Sequence, residues 1–221
     1  MARSASPLVL SALLAASCAP AVPLSRYESA RLSTAPPIPV LHVRSAPPWV
    51  DCPNDEGQKV WEHPGIWKSI QEQWTLSLRT PPVDPASATA VQILARAGAA
   101  HLSIPLAERA EELRRLDPAA LRSRFESSPV LVVEAVRWVL VGCFFTYQPW
   151  FQVRATLLRP STGEVLWRDS CGGTYPGGSP VPASRDELEA GGRWLYTRII
   201  EERAASCAAQ LVTSLASAGR P

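Results

Sequence analysis

The chain has 221 residues, 22 Lys and Arg against 20 Asp and Glu, and a net charge of +2. It contains no block of like charge and no basic stripe with interleaved aromatics, which excludes a nucleic-acid binder as the natural reading. Its 22 prolines crowd the first half, and its eight tryptophans demand either burial or a partner.

The chain opens with "MARSASPLVLSALLAASCAP". Arg3 is a short basic region, Pro7 to Ala16 is apolar, and small residues follow, which is the form of a secretory signal over residues 1–17. A spanning helix needs about 20 apolar residues, and charges or prolines interrupt every longer apolar run. "LAASC" resembles the bacterial lipobox, although Ala15 stands where Leu is commonest. That resemblance implies cleavage before Cys18, diacylation of its sulfur and a membrane tether. Ala19 after the cysteine favours the outer membrane where the enteric sorting rule applies, so the expected location is the envelope, lipid-anchored and facing the periplasm. An ordinary secretory signal with an incidental cysteine is the alternative.

Residues 18–37 are rich in Pro, Ala and Ser and are expected to form a flexible tether, followed by one globular domain over 38–218. "IPVLHVR" alternates and predicts a strand over Ile38–Arg44. "SAPPWVDCPNDEGQ" is turn chemistry. Trp61, Trp67 and Trp74 mark a Trp-rich piece with a short helix from Gly65 and a strand in "WTLSLR". Asp84-Pro85, Ser103 with Pro105 and Asp117-Pro118 each combine a capping residue with a following proline. They predict helix starts before "ASATAVQILARAG", "LAERAEELRRL" and "AALRSRFES".

From residue 129 the period changes. "PVLVVEAVRWVLVG" suits a central strand. "WFQVRATLLR" alternates, with Phe151, Val153, Ala155 and Leu157 on one face and Gln152, Arg154 and Thr156 on the other. "PSTG" is a turn into the strand "EVLWRDS", which completes an antiparallel meander. Ser184 and Glu187 form a capping box at the start of a helix to about Ser217, loosened at Gly191-Gly192. Ile200, Ala204, Cys207, Leu211 and Leu215 make its apolar stripe. The expected fold is therefore α/β (α+β), one domain, with a mixed sheet whose C-terminal antiparallel meander is covered by helices.

Four cysteines remain besides Cys18. No two are closer than 28 residues, which disfavours zinc, and an exported chain favours two disulfides. The final helix can return over the last strand, so Cys171–Cys207 with Cys52–Cys143 is the expected pairing. His42, His63 and His101 are scattered, and neither a catalytic motif nor a Walker motif is present. "GGTYPGG" lacks the lysine of a phosphate loop. Glu134, Asp169, Glu187 and Glu189 have no evident pairing. Neither a cofactor nor a metal is expected.

"CFFTYQPWF" is read as a link between strands. Phe144, Phe145, Tyr147, Trp150 and Phe151 either fold onto the core or form an exposed tip that grips a partner or a membrane interface. The succession "PVLVVEAVRW", "FQVRATLLR", "STGEVLWRD" and "CAAQL" resembles the C-terminal half of proteobacterial envelope lipoproteins of the curli-secretion and penicillin-binding-protein-activator type, over about residues 128–215. The resemblance implies a small α/β sandwich and carries no functional residue. The leading expectation is a non-catalytic envelope lipoprotein that binds or assembles with protein partners. A periplasmic small-ligand binder with a Trp-lined pocket and a secreted hydrolase are the alternatives.

Overall fold

The order of the strands follows from two long apolar segments that can only be satisfied in the middle of a sheet. The structure, a computed structural model, describes residues 20–51, 78, 80–100, 102–126, 128–142, 146–172 and 183–217. Among the described residues the elements are α1 (Arg26–Ser33), β1 (Ile38–Val43), β2 (Trp49–Asp51), α2 (Pro85–Ala99), β3 (Leu106–Leu113), α3 (Pro118–Phe125), β4 (Val130–Val141), β5 (Thr146–Arg159), β6 (Glu164–Cys171), β7 (Ala183–Ser184) and α4 (Arg185–Ser217). The sheet is mixed, in the order β3-β1-β4-β5-β6, with β2 added to β4 and β7 added to β5. The β4–β5–β6 meander is antiparallel. β1 and β2 both run parallel to β4, one along each half of it.

One bulge governs which side chains face which layer. The register of β4 on β5 shifts between Ala135 and Arg137, so Val136 is the extra residue and facing inverts beyond it. Leu131 and Val133 before the bulge, and Trp138 and Leu140 after it, therefore join Phe151, Val153, Ala155 and Leu157 under α2 and α4 in the main core. On the opposite face α3 covers only one end, where Leu121 packs with Leu41, Val130, Val132 and Leu158.

Local chemistry places the helices. Asp84 Oδ1 caps α2 by accepting from the Ala86 and Ser87 amides at 2.8 and 3.3 Å. The same carboxylate accepts from the amide and hydroxyl of Ser45, at 2.7 and 2.8 Å, tying the exit of β1 to the start of α2. Asp117 caps α3 in the same way. The Ser184–Glu187 capping box forms, with Glu187 accepting from the Ser184 amide at 2.7 Å and the Ser184 Oγ accepting from the Glu187 amide at 3.2 Å. Donation from the Ser184 amide and, at 2.8 Å, from the Ser184 hydroxyl holds the Glu187 carboxyl below the usual glutamate range. α4 bends at Ala190–Arg193, where Gly191 and Gly192 take positive φ of 57° and 71°. Arg193 shares that left-handed conformation and donates to the Thr80 carbonyl. One turn on, the buried Tyr196 hydroxyl donates to the Leu78 carbonyl at 3.0 Å. The apolar stripe Ile200, Ala204, Cys207, Leu211 and Leu215 is buried throughout, and Cys207 is bonded to Cys171 with a Cα–Cα distance of 5.2 Å.

Four expectations are corrected. "LAERAEELRRL" is not a helix: Leu106–Leu113 is the edge strand β3, paired in parallel with β1. Its residues are good helix formers, but Leu106, Ala110 and Leu113 meet Ile38, Val40 and Val43, and that non-local pairing overrides propensity. The segment 18–37 is not the expected flexible tether throughout: its described part is folded from Val22 onward. Val22 bridges Arg168 of β6 through both backbone bonds, at 2.8 and 2.9 Å, and Ser25 caps α1. Leu24 and Leu32 are buried in the main core, so the domain begins near Val22 rather than at Ile38. "SAPPWVD" is not all turn, since Trp49–Asp51 forms β2. The link over 143–151 is strand from Thr146 onward, because the long central strand continues through it. The expected elements around Trp61, Trp67 and Trp74 lie outside the described residues, as do Cys18, Cys52, Cys143, Phe144 and Phe145.

Two predictions follow from this packing. The Cys171–Cys207 bond closes a separation of 36 residues; replacing both cysteines by Ala should lower stability to urea by about 3–4 kcal/mol, and an unchanged midpoint would contradict the bridge. Burial raises the Tyr196 hydroxyl above its ordinary pKa, so its contribution is complete below the unfolded value of about 10 and is lost as pH rises beyond it. Tyr196→Phe should lose about 1–3 kcal/mol at neutral pH by stranding the Leu78 carbonyl and should show a shallower alkaline decline in thermal unfolding than the parent.

Candidate functional site on the outer face of the sheet

The face of the sheet opposite α2 and α4 carries two polar constellations beyond the patch under α3. Both grow from residues that interrupt otherwise apolar strands. In β4 these are Glu134 and Arg137, on either side of the Val136 bulge.

Glu134 stands opposite Arg154 of β5. Its Oε1 accepts from Arg154 Nε at 2.7 Å and Nη2 at 2.5 Å. One strand further, Arg168 of β6 stands opposite Thr156, and Ser170 opposite Arg154. Arg154, Thr156 and Arg168 are all buried. Two guanidinium groups and one carboxylate therefore share this region. Arg168 Nε and Thr156 Oγ1 have no hydrogen-bond partner among the described residues. Burial, then repulsion from Arg154, lowers the Arg168 pKa, and attraction to Glu134 offsets part of that. The position is anchored from outside by Val22, whose backbone bridges Arg168.

At the other end of the face, three strands set a row. Trp49 of β2 is opposite Val139 of β4, which is opposite Trp150 of β5. Arg137, two residues before Val139 on the same face, lays its guanidinium over both indoles, 5.6 Å from the Trp49 ring centre and 5.3 Å from that of Trp150. Val139, Val141 and Trp150 form a small buried apolar floor. Trp49 remains 48% exposed and Arg137 is exposed. Each cation–π contact at such a site contributes about 0.5–1 kcal/mol, which favours the stacked orientation of the exposed Trp49 ring about two- to fivefold.

The aromatic candidates divide between the two faces. Phe151 and Tyr147 enter the main core, and burial raises the Tyr147 hydroxyl despite the nearby Arg185 charge. Trp150 lies under Arg137 on the outer face. None of these three is an exposed tip, which corrects that part of the aromatic reading. Tyr27 and Trp194 are exposed elsewhere, and among the described residues of the Arg137 stack the accessible aromatic is Trp49. It sits amid prolines and turn residues, where no strand signal pointed to it; the visible clue was the arginine in the apolar run of β4.

Other candidates have structural occupations. Asp169 accepts from the Ser170 amide at 2.8 Å, and Glu189 accepts from Arg185 at 3.1 Å. His42 is buried on β1, its Nδ1 without a partner; His63 and His101 lie outside the described residues. Among the described residues no group of three His, Cys, Asp or Glu could hold a metal ion, and no helix is long and apolar enough to cross a membrane. An open apolar groove of about 930 Å³ runs between α2 and β3, lined by Leu94, Leu102, Ile104 and Leu106 among others, with no Trp among its described lining residues.

No family model matches the chain, and no curated protein matches it. Among solved structures, PelC from Paraburkholderia phytofirmans, described as a dodecamer, is similar at 14% identity and TM-score 0.37, covering 90% of this chain and 96% of that one. Lipoprotein GNA1162 from Neisseria meningitidis is similar at 18% identity and TM-score 0.25, covering 77% and 99%. Protein CT253 from Chlamydia trachomatis is similar at 7% identity and TM-score 0.33, covering 82% and 98%. Likeness at this level assigns no function to the chain.

The charge arrangement sets two substitutions in opposite directions. Glu134→Gln removes the carboxylate charge that Arg154 Nε and Nη2 bond and should cost about 3–5 kcal/mol, whereas Arg168→Leu removes a guanidinium whose Nε has no partner among the described residues and should be neutral or stabilising. Urea unfolding of both variants checks this; a large loss in Arg168→Leu would contradict the assignment.

Proposed function

We propose that this chain is a non-catalytic envelope lipoprotein, anchored through Cys18 and facing the periplasm, that assembles with an envelope protein through the outer sheet face around Trp49 and Arg137. The observation that carries the reading is the Trp49–Arg137–Trp150 stack, with its outer ring left half open to solvent. Trp and Arg are enriched among residues that dominate protein interfaces, and an exposed indole already held in orientation loses little entropy on binding. The lipobox-like "LAASC" supports the anchor, and the Cys171–Cys207 bond fits an oxidising compartment. The outer membrane is the expected membrane where the enteric sorting rule for the residue after Cys18 applies, and the resemblance of residues 128–215 to curli-secretion and penicillin-binding-protein-activator lipoproteins supports the same compartment.

The test is crosslinking and affinity purification of the lipidated chain from its own envelope. A reproducible partner should be recovered with the parent and reduced about tenfold or more with Trp49→Ala or Arg137→Ala, the loss typical of a dominant interface residue. Cys18→Ser should release the chain from the membrane or block its maturation. A partner recovered equally with the Trp49 and Arg137 variants would contradict the surface, and unchanged membrane retention of Cys18→Ser would contradict the anchor.

A further inference from the structure

We infer that the folded body lies directly on the bilayer, with the outward stripe of α1 (Arg26, Tyr27 and Arg31) in contact with anionic phospholipid headgroups. This rests on the lipid anchor at Cys18 proposed above. The first argument is chain length. The fold begins at Val22, fixed by its two backbone bonds to Arg168, and Leu24 is already buried. Three residues lie between Cys18 and Val22, so the four steps from one to the other reach at most about 14 Å when fully extended. A body fastened so closely to its lipid cannot stand clear of the surface, so some face of the fold near Val22 meets the headgroups.

The second argument is the chemistry of the element that follows. α1 turns Glu28 and Leu32, four residues apart, inward: Leu32 is buried, and Glu28 accepts from Arg159 at 3.1 Å. The stripe beside them is opposite in character. Tyr27 is 74% exposed, the Arg31 side chain is 60% exposed, and Arg26 is exposed. The single acid of the helix is shared between Arg159 at 3.1 Å and Arg31 at 3.8 Å, so the outward face of one aromatic ring and two guanidinium groups keeps a net positive charge, with Arg26 as its cation not paired to Glu28. Tyrosine favours the headgroup level of a bilayer, and arginine is drawn to anionic lipid. The stripe begins at Arg26, four residues after the strand contact at Val22.

The test uses the full lipidated chain in vesicles of phosphatidylethanolamine and phosphatidylglycerol. Sedimentation of the parent but not of Cys18→Ser reports the anchor. A benzoylphenylalanine crosslinker at position 27 then reports the contact. The control is the same group at Val91, an exposed residue of α2 beside β3, at the sheet edge opposite β6. Lipid adducts should form about fivefold or more better at 27 than at 91 and should fall about fivefold or more when Arg26 and Arg31 are both replaced by Glu, consistent with the attraction of each arginine to an anionic surface. Equal yields at 27 and 91, or adducts at 27 to a protein or a second copy, would overturn the contact while leaving the anchor intact. Failure of the parent to sediment would overturn the anchor and the contact together.

Discussion

The antiparallel pairing of β4 with β5, running from Val130 opposite Leu158 to Val141 opposite Gln148, is the constraint on which the rest depends. Both strands are longer than any neighbour, so each is completed along its outer edge by two shorter pieces: β1 and β2 on β4, β6 and β7 on β5. The Val136 bulge then decides the chemistry of each face. Before it, odd-numbered residues of β4 face the helices; after it, even-numbered ones do. Without that inversion Trp138 and Leu140 would point to the outer face, and Arg137 would enter the main core. The bulge thus keeps both faces coherent along a strand with no regular alternation in its sequence.

The outer face trades stability for polarity. Glu134 neutralises one of two buried guanidinium groups, and among the described residues Arg168 retains an unbonded Nε beside the unbonded Thr156 hydroxyl. Apolar side chains of similar volume would pack there with less desolvation penalty. Alongside, Arg137 holds Trp49 in place without burying it. Polar interruptions in a central strand mark this face as something other than a second core. α3 closes only its far end, where the strands are apolar throughout.

Much of the architecture was legible because its signals are local or strongly periodic. The alternation of β5, the turn before β6, the Asp-Pro starts of α2 and α3 and the Ser184–Glu187 box all depend on residues within a few positions of one another. The bend of α4 was visible in its paired glycines, and the Cys171–Cys207 bond in the need of the last helix to cover the last strand. What failed to show was non-local. β3 is composed of helix formers and becomes a strand only through β1. α1 and the Val22 bridge lie in a stretch whose Pro, Ala and Ser content has the composition of a linker; two leucines and one capping serine were the only hints of order. Trp49 acquires meaning only when β2 is laid beside β4, and the Ser45–Asp84 bonds join positions 39 residues apart.

The Val22 bridge changes how the chain is arranged in space: the proposed anchor at Cys18 and the fold are separated by a few residues rather than twenty. Amide hydrogen exchange tests that claim most directly, since a backbone bond exchanges only when the unit containing it opens. The Val22 and Arg168 amides, which bond each other's carbonyls, should exchange as slowly as those of β6 as a whole. Exchange of the Val22 amide at the rate of an unstructured peptide, with β6 still protected, would contradict the account.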